Sequence, residues 1–218
     1  MQHARFAKTL IALATLASAS ATVHAIPEPP SGLTRDQWQV RFSFDDLARI
    51  EITLPGEAEP RTYWYLLFTC ENRSTREIDS FSPYFELVTD KLIVLQSIDA
   101  PRPVFDAIRD KHTATYKYLT PVLPRKLRVG DDMAVDGVAI FEALPIDTAS
   151  MRLFVHGLSN VAVTEPNPLA RLDPEAPRSI QYFKTLEIHY QLPGDELTRQ
   201  TATPLRLNTR WIMRPFDN

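Results

Sequence analysis

Three histidines lie beyond the first 25 residues of this chain, and two of them fall in segments with the pattern of strands. His156 ends one such segment, and His189 lies inside another. If those strands are neighbours, the two imidazoles, together with Asp131, Asp132 or Asp195, would form a ligand set that suits zinc or copper. No two of these residues have the short spacing of a metal-binding motif. A metal-binding protein that uses His156 and His189 is therefore an alternative only, and the sequence predicts no cofactor.

Nucleophilic catalysis needs a serine or cysteine next to a base, and the sequence offers no such arrangement. It contains no Gly-x-Ser-x-Gly elbow, and its single cysteine, Cys70, is surrounded by bulky apolar residues. Such a thiol is expected to be buried and structural. Three carboxylate pairs are adjacent in sequence, so their side chains diverge and predict solvated turns: Asp45-Asp46, Asp131-Asp132 and Asp195-Glu196. We therefore expect a protein that is not an enzyme.

Aromatic side chains are the better candidates for contacts with a ligand or partner. Trp64 and Tyr65 lie in one apolar segment, and Tyr116 and Tyr118 lie on either side of Lys117 in another. Exposed tyrosine and tryptophan mark peptide-binding and sugar-binding surfaces. The alternative is that the strand with Trp64 is buried on both faces, one toward the core and one under the proline-rich segment 164–178.

The first 25 residues predict where the protein works. Arg5 and Lys8 precede an uncharged, apolar run, and Ala25 supplies the small residue that a signal peptidase requires. We expect a signal peptide at 1–25, an extended leader at 26–36 and a single domain at 37–218. The protein would then be exported, to the periplasm or the medium. The run is too short and too rich in Ala, Ser and Thr for a membrane anchor, so no transmembrane span is expected after cleavage.

The charge balance excludes two classes of partner. The chain has 24 Lys and Arg residues against 27 Asp and Glu residues, and two of the basic residues lie in the predicted signal peptide. The mature chain is therefore mildly acidic. Nucleic acid and anionic lipid both require clustered basic residues, so neither is expected as a partner.

The elements that must position these residues are mostly strands. Alternating or continuous apolar residues predict them at 38–44, 48–54, 62–71, 84–89, 92–96, 137–144, 151–155, 182–191 and 205–213. The strands at 48–54 and 62–71 are predicted to form a hairpin. A proline suited to a first helical turn, Pro103, begins the one predicted helix. Tight turns are expected at 130–132 and 193–196. The pattern favours an antiparallel β-sandwich, with a closed barrel as the rival.

Several segments resemble exported bacterial immunoglobulin-like domains of unknown function. They are 63–73 with its aromatic strand and Asn turn, 85–90, and Gly130 with 137–142; the segments 184–186, 192–196 and 211–214 are similar to a narrower family of secreted proteins. The resemblance implies a mainly β, antiparallel immunoglobulin-like sandwich with one short helical insertion, and it implies no catalytic residues. The expected function is a protein-binding or assembly module of the cell envelope. A carbohydrate-binding or small-ligand-binding module is the alternative.

Overall fold

The protein is mainly β in a computed structural model that describes residues 26–173, 175–199 and 201–215. The predicted signal peptide lies outside the described residues. Thirteen strands are present in the described ranges: β1 (Arg41–Phe44), β2 (Ala48–Ile52), β3 (Arg61–Asn72), β4 (Ile78–Phe81), β5 (Tyr84–Thr89), β6 (Val94–Gln96), β7 (Thr120–Pro121), β8 (Arg125–Leu127), β9 (Gly130–Phe141), β10 (Ser150–His156), β11 (Ala162–Pro166), β12 (Ser179–Gln191) and β13 (Leu205–Pro215). Two short α-helices, α1 (Arg102–His112) and α2 (Glu196–Arg199), and a 3₁₀ helix at Pro168–Arg171 complete it.

The first sheet is built around β3. Strands β2 and β1 pair with successive halves of one edge of β3, and β9 pairs with the other edge, all antiparallel. The β2–β3 pairing confirms the predicted hairpin. The two-residue strand β7 pairs with β9 in parallel.

The second sheet is built around β12 and β10. Strand β13 pairs with one edge of β12, while β11 and β10 pair with the other edge. Strand β5 pairs with β10, and β6 pairs with β5. The strands of this sheet that pair with a single neighbour are therefore β13, β11 and β6. A separate two-stranded sheet joins β4 to β8.

One hydrophobic cluster lies between the two large sheets. Leu66 and Phe68 of β3 enter it from the first sheet, and Phe85, Leu153 and Ile188 enter it from β5, β10 and β12. These side chains are 3 % exposed or less, and each stabilises the fold by about 1.5–3 kcal/mol through removal of apolar surface from water. The alternating pattern of the strands therefore points their apolar positions toward a shared interior.

A second cluster lies on the opposite face of the first sheet. Tyr65 and Leu67 of β3 and Ile140 of β9 pack there against Val104 and Ile108 of α1. The predicted helix is thus confirmed, and it explains why β3 is apolar on both faces. The expectation that segment 164–178 covers the second face was wrong, because α1 occupies that position.

Two predicted turns have a different structure. Residues 130–132 begin β9, where Gly130 has a φ of 116° and pairs with Asn72 at an irregularity in the β3–β9 register. The glycine permits this backbone conformation, so a bulged strand forms where a turn was expected. Residues 193–196 lead into the one-turn helix α2. No helix in the described ranges is long and apolar enough to cross a membrane.

Candidate functional site

Three of the four aromatic candidates are buried. Trp64 is 4 % exposed and faces the cluster between the sheets, while Tyr65 and Tyr116 belong to the cluster under α1. Tyr65 Oη lies 3.0 Å from His112 Nε2, and burial, then Asp45, raises the pKa of Tyr116. These three side chains therefore offer no aromatic platform to a sugar or partner. Only Tyr118, which is 74 % exposed, remains a candidate contact.

The two candidate metal ligands are not brought together. His189 pairs with Arg152, whereas the hydrogen-bond partner of His156 on β12 is Thr185. Four residues along a strand separate the two positions by about 13 Å. Within the described part of the chain, no group of three or more His, Cys, Asp and Glu side chains could hold a metal ion. The geometry therefore does not support the metal-binding alternative.

His156 instead lies in a buried hydrogen-bond chain on the outer face of the second sheet. Nη1 of Arg214 lies 3.1 Å from Nε2, and Thr185 Oγ1 lies 3.0 Å from Nδ1. Because arginine can only donate, Nε2 accepts, and Nδ1–H donates to Thr185, whose hydroxyl donates to the Phe183 carbonyl. Arg214 also pairs with Glu86. Burial, then the Arg214 charge, lowers the pKa of His156 to about 4.

The single cysteine, Cys70, is also part of the core. Cys70 is fully buried between the sheets, and burial raises the pKa of its thiol. A thiol in this environment is a weak nucleophile. The predicted structural role of Cys70 is confirmed by its burial.

An open sheet edge at β6 is the feature that the sequence did not single out. Leu92, Ile93 and Val94 are 82 %, 41 % and 50 % exposed, although all three are large and apolar. They lie at the end of the second sheet, where β6 pairs with β5 alone. We call residues 92–96 the edge segment. An exposed edge with apolar side chains is a template for pairing with another chain.

Some backbone N–H and C=O groups of the edge segment point toward the open edge, where an added strand would pair with them. Ile93 and Ser97 form their backbone hydrogen bonds with β5, at 2.9 Å to Thr89 and 3.0 Å to Phe85. Backbone groups alternate in direction along an antiparallel strand, so those of Val94 and Gln96 point away from β5. The next residue in that phase, Ile98, turns its N–H to the Ile140 carbonyl at 2.8 Å.

The turn that begins the edge segment holds a strained residue. Leu92 has a φ of 60°, the single positive value at a non-glycine residue in the described ranges. It closes a three-residue hairpin loop at the position where glycine is preferred. A left-handed conformation costs an L-residue about 1–2 kcal/mol. The chain thus keeps an exposed leucine at a position where glycine would be more stable.

A cleft of about 560 Å³, lined by apolar and polar residues, continues from the edge segment. Its lining begins at Ser97, directly after β6, and includes Phe105 of α1 and Val138 and Ile140 of β9. Leu123, which is 53 % exposed, lies on its other side. Tyr118 lies two residues before β7 in the chain. The volume lies within the usual range for binding pockets, about 300–1,000 Å³.

Comparison with protein families, with curated proteins and with solved structures finds no match in any of the three. A function for this chain therefore rests on its own geometry. One sequence signal pointed to the edge: 92–95 is a continuous apolar run that follows an Asp-Lys turn without glycine. Such a run is usually interpreted as a buried strand, which is why its exposure was not anticipated.

Proposed function

We propose that this protein is an exported, non-catalytic binding module of the cell envelope that accepts an extended segment of a partner protein along β6. The observation that carries the proposal is the exposed edge segment that leads directly into the cleft. Added strands obtain affinity from main-chain hydrogen bonds and specificity from pockets for alternate side chains. The backbone of Val94 and Gln96 supplies the main-chain hydrogen bonds, and the cleft supplies the pocket for side chains.

The geometry also describes the segment that would bind. The edge segment is short, so the added strand would pair over only a few residues. Apolar side chains of the added strand would contact Val94 at the open edge and the cleft beyond Ser97. Leu123, which is exposed at the cleft, and Tyr118, which is exposed two residues before β7, would contact the partner outside the paired strand. The candidate Tyr118 thus belongs to the proposed interface, without Trp64, Tyr65 or Tyr116.

A photo-crosslinking amino acid at Val94 tests this interface in the native envelope. We expect one dominant crosslinked protein from this position and none from Leu172, which is 83 % exposed in the connection between β11 and β12. Crosslinking to the same protein from both positions would show nonspecific capture and contradict the proposal. Absence of any reproducible product from Val94 would contradict it too.

A proline at Gln96 tests the strand pairing itself. Gln96→Pro removes an outward-facing N–H, which an edge strand tolerates, and leaves the apolar side chains in place. We expect loss of the crosslink at Val94 with little change in stability. The matched variant Gln96→Val retains the N–H and should retain the crosslink. Equal crosslinking in both variants would exclude strand addition.

The export of the protein is part of the proposal. It is supported by the basic start, the apolar run and Ala25, as argued from the sequence. N-terminal sequencing of the protein from the host envelope should give Ile26 as the first residue. An intact Met1 in that fraction would contradict the proposed signal peptide.

The immunoglobulin-like assignment is the finer part of the proposed fold. Two mainly antiparallel sheets with a shared core support it, with α1 as the helical insertion. Immunoglobulin-like sandwiches pack their sheets at about −30°. A crystal structure with that angle would support the assignment, and orthogonal sheets would contradict it.

A further inference from the structure

A pocket of about 290 Å³, lined by apolar and charged residues, lies at one end of the space between the two large sheets. Strands β2 and β3 form one side of it, and the connection from β9 to β10 forms another. Leu192 and α2, from the β12–β13 hairpin, close the third side. We call it the end pocket. The residues of the edge segment do not contribute to its lining.

Strand β2 has an inverted polarity at this pocket. Its apolar residues Ile50 and Ile52 pack with the cluster under α1, so the opposite face is turned toward the space between the sheets. That face carries Arg49 and Glu51, which pair in register with Trp64 and Thr62. The charges on this face are partly exposed and paired with each other: the Arg49 side chain is 25 % exposed, the Glu51 side chain is 52 % exposed, and their charged groups are 3.5 Å apart.

A second guanidinium reaches the pocket from the other sheet. Arg199 of α2 lines it, and its Nε donates to the Gly194 carbonyl at 2.8 Å. That bond anchors the side chain and does not use the two terminal amino groups. Asp195 is turned to Thr198 instead, accepting from its backbone N–H at 2.9 Å and its hydroxyl at 2.6 Å.

The pocket lining therefore carries more positive than negative charge. Arg49 and Arg199 are its cations, and Glu51, 3.5 Å from Arg49, is its one carboxylate.

We propose that the end pocket binds a small organic monoanion that carries one carboxylate and neighbouring hydroxyl groups, such as a sugar acid. Arginine side chains pair with a carboxylate through parallel N–H···O bonds. Thr62, Thr201 and the Glu51 carboxylate provide partners for hydroxyl groups, and the buried Trp64 also belongs to the lining. The volume is at the lower end for ligand pockets, which favours a single ring over a polymer.

Titration with D-glucuronate, followed through the Trp64 indole N–H resonance, tests the proposal. Trp64→Phe identifies that resonance, since Trp38 and Trp211 supply the other indoles. We expect a saturable shift at millimolar glucuronate and at least about tenfold weaker binding of neutral methyl glucoside and of acetate. The variant Arg199→Gln should weaken glucuronate binding by about tenfold or more.

Arg128→Gln is the matched control, because Arg128 is an exposed arginine before β9, near the end of β3 opposite Thr62. It should bind glucuronate as the unaltered protein does. The proposal is overturned by no saturable shift, by equal affinity for methyl glucoside or acetate, or by equal losses in the two arginine variants. If thermal unfolding shows that Arg199→Gln does not fold, Arg49→Gln provides the same comparison.

Discussion

Buried polar side chains in this protein are held by hydrogen bonds to both neighbouring and distant residues of the chain. Asn72 is fully buried, and its amide donates to the carbonyls of Arg76 and Leu127 while its oxygen accepts from Ser74. His156 is held in the same way between Thr185 and Arg214. These residues stabilise the fold, so their chemistry does not indicate a catalytic function.

His156 makes the stability of the protein depend on pH. Its pKa is about 4 when folded, against 6.5 for the ordinary side chain, so the unfolded chain binds the proton more tightly. The contribution to stability is present above pH 6.5 and is lost as the pH falls toward 4. By linkage it amounts to about 3 kcal/mol. Protonation would also place a cation against Arg214, with Thr185 and Tyr84 as the remaining neighbours.

Urea denaturation at pH 7 and pH 4.5 measures this effect. We expect the unaltered protein to lose more stability between the two values than His156→Gln does. Equal losses in the two proteins would show that His156 is not the group responsible.

At the scale of the element, the hairpin between β5 and β6 combines strain with exposure. Leu92→Gly removes the left-handed strain of the leucine, and we expect a gain of roughly 0.5–1 kcal/mol, since glycine adopts this conformation freely. The same change removes an exposed apolar side chain, so crosslinking at Val94 should fall. Thermal unfolding and the crosslinking assay measure the two effects.

Leu172→Gly is the control for this experiment. Leu172 is equally exposed, but its φ is −103°, so glycine relieves no strain there. We expect no gain in stability and no change in crosslinking. If Leu92→Gly is more stable but binds its partner as before, the strained leucine has no role in the proposed function.

Strand β9 is fitted to β3 by a glycine that faces an aromatic ring. Gly137 pairs with Phe68, and a Cβ at position 137 would overlap the Phe68 ring. Gly137→Ala should therefore destabilise the protein by about 1–3 kcal/mol in urea denaturation. In a Phe68→Leu background the cost should be smaller, because the ring is gone. Gly32→Ala, which meets nothing within 4 Å, is the control and should have little effect.

The elements were predictable to different degrees. The alternation at 84–89 matches β5 to the residue, and the apolar segment 62–71 matches β3 within a residue at each end. The prediction of a turn at 130–132 was wrong. A glycine followed by two aspartates is typical of a turn, but here the glycine allows a bulge opposite Asn72. Local composition does not distinguish these two uses of a positive φ.

At the scale of the whole molecule, the first sheet separates two hydrophobic clusters. Ile108 is fully buried in the cluster under α1, and Ile188 is fully buried in the cluster between the sheets. Each Ile→Val change should cost about 1 kcal/mol. Since the two side chains share no cluster, the double variant should show additive costs within about 0.5 kcal/mol in urea denaturation. A larger coupling would mean that the first sheet transmits strain between the clusters.

The sequence by itself determined the properties that local pattern encodes. Alternation and apolar runs specify strands, so the mainly β class, most strand positions and the burial of Cys70 followed from it. Tertiary structure alone decided which face each strand presents and to what. It placed α1 over β3, which buried Tyr65, and it left β6 at an edge. It also joined Arg214 to Glu86, which are 128 residues apart. The physical reason is that strand order and long-range pairing depend on packing of the complete chain, which the periodicity of one segment does not contain.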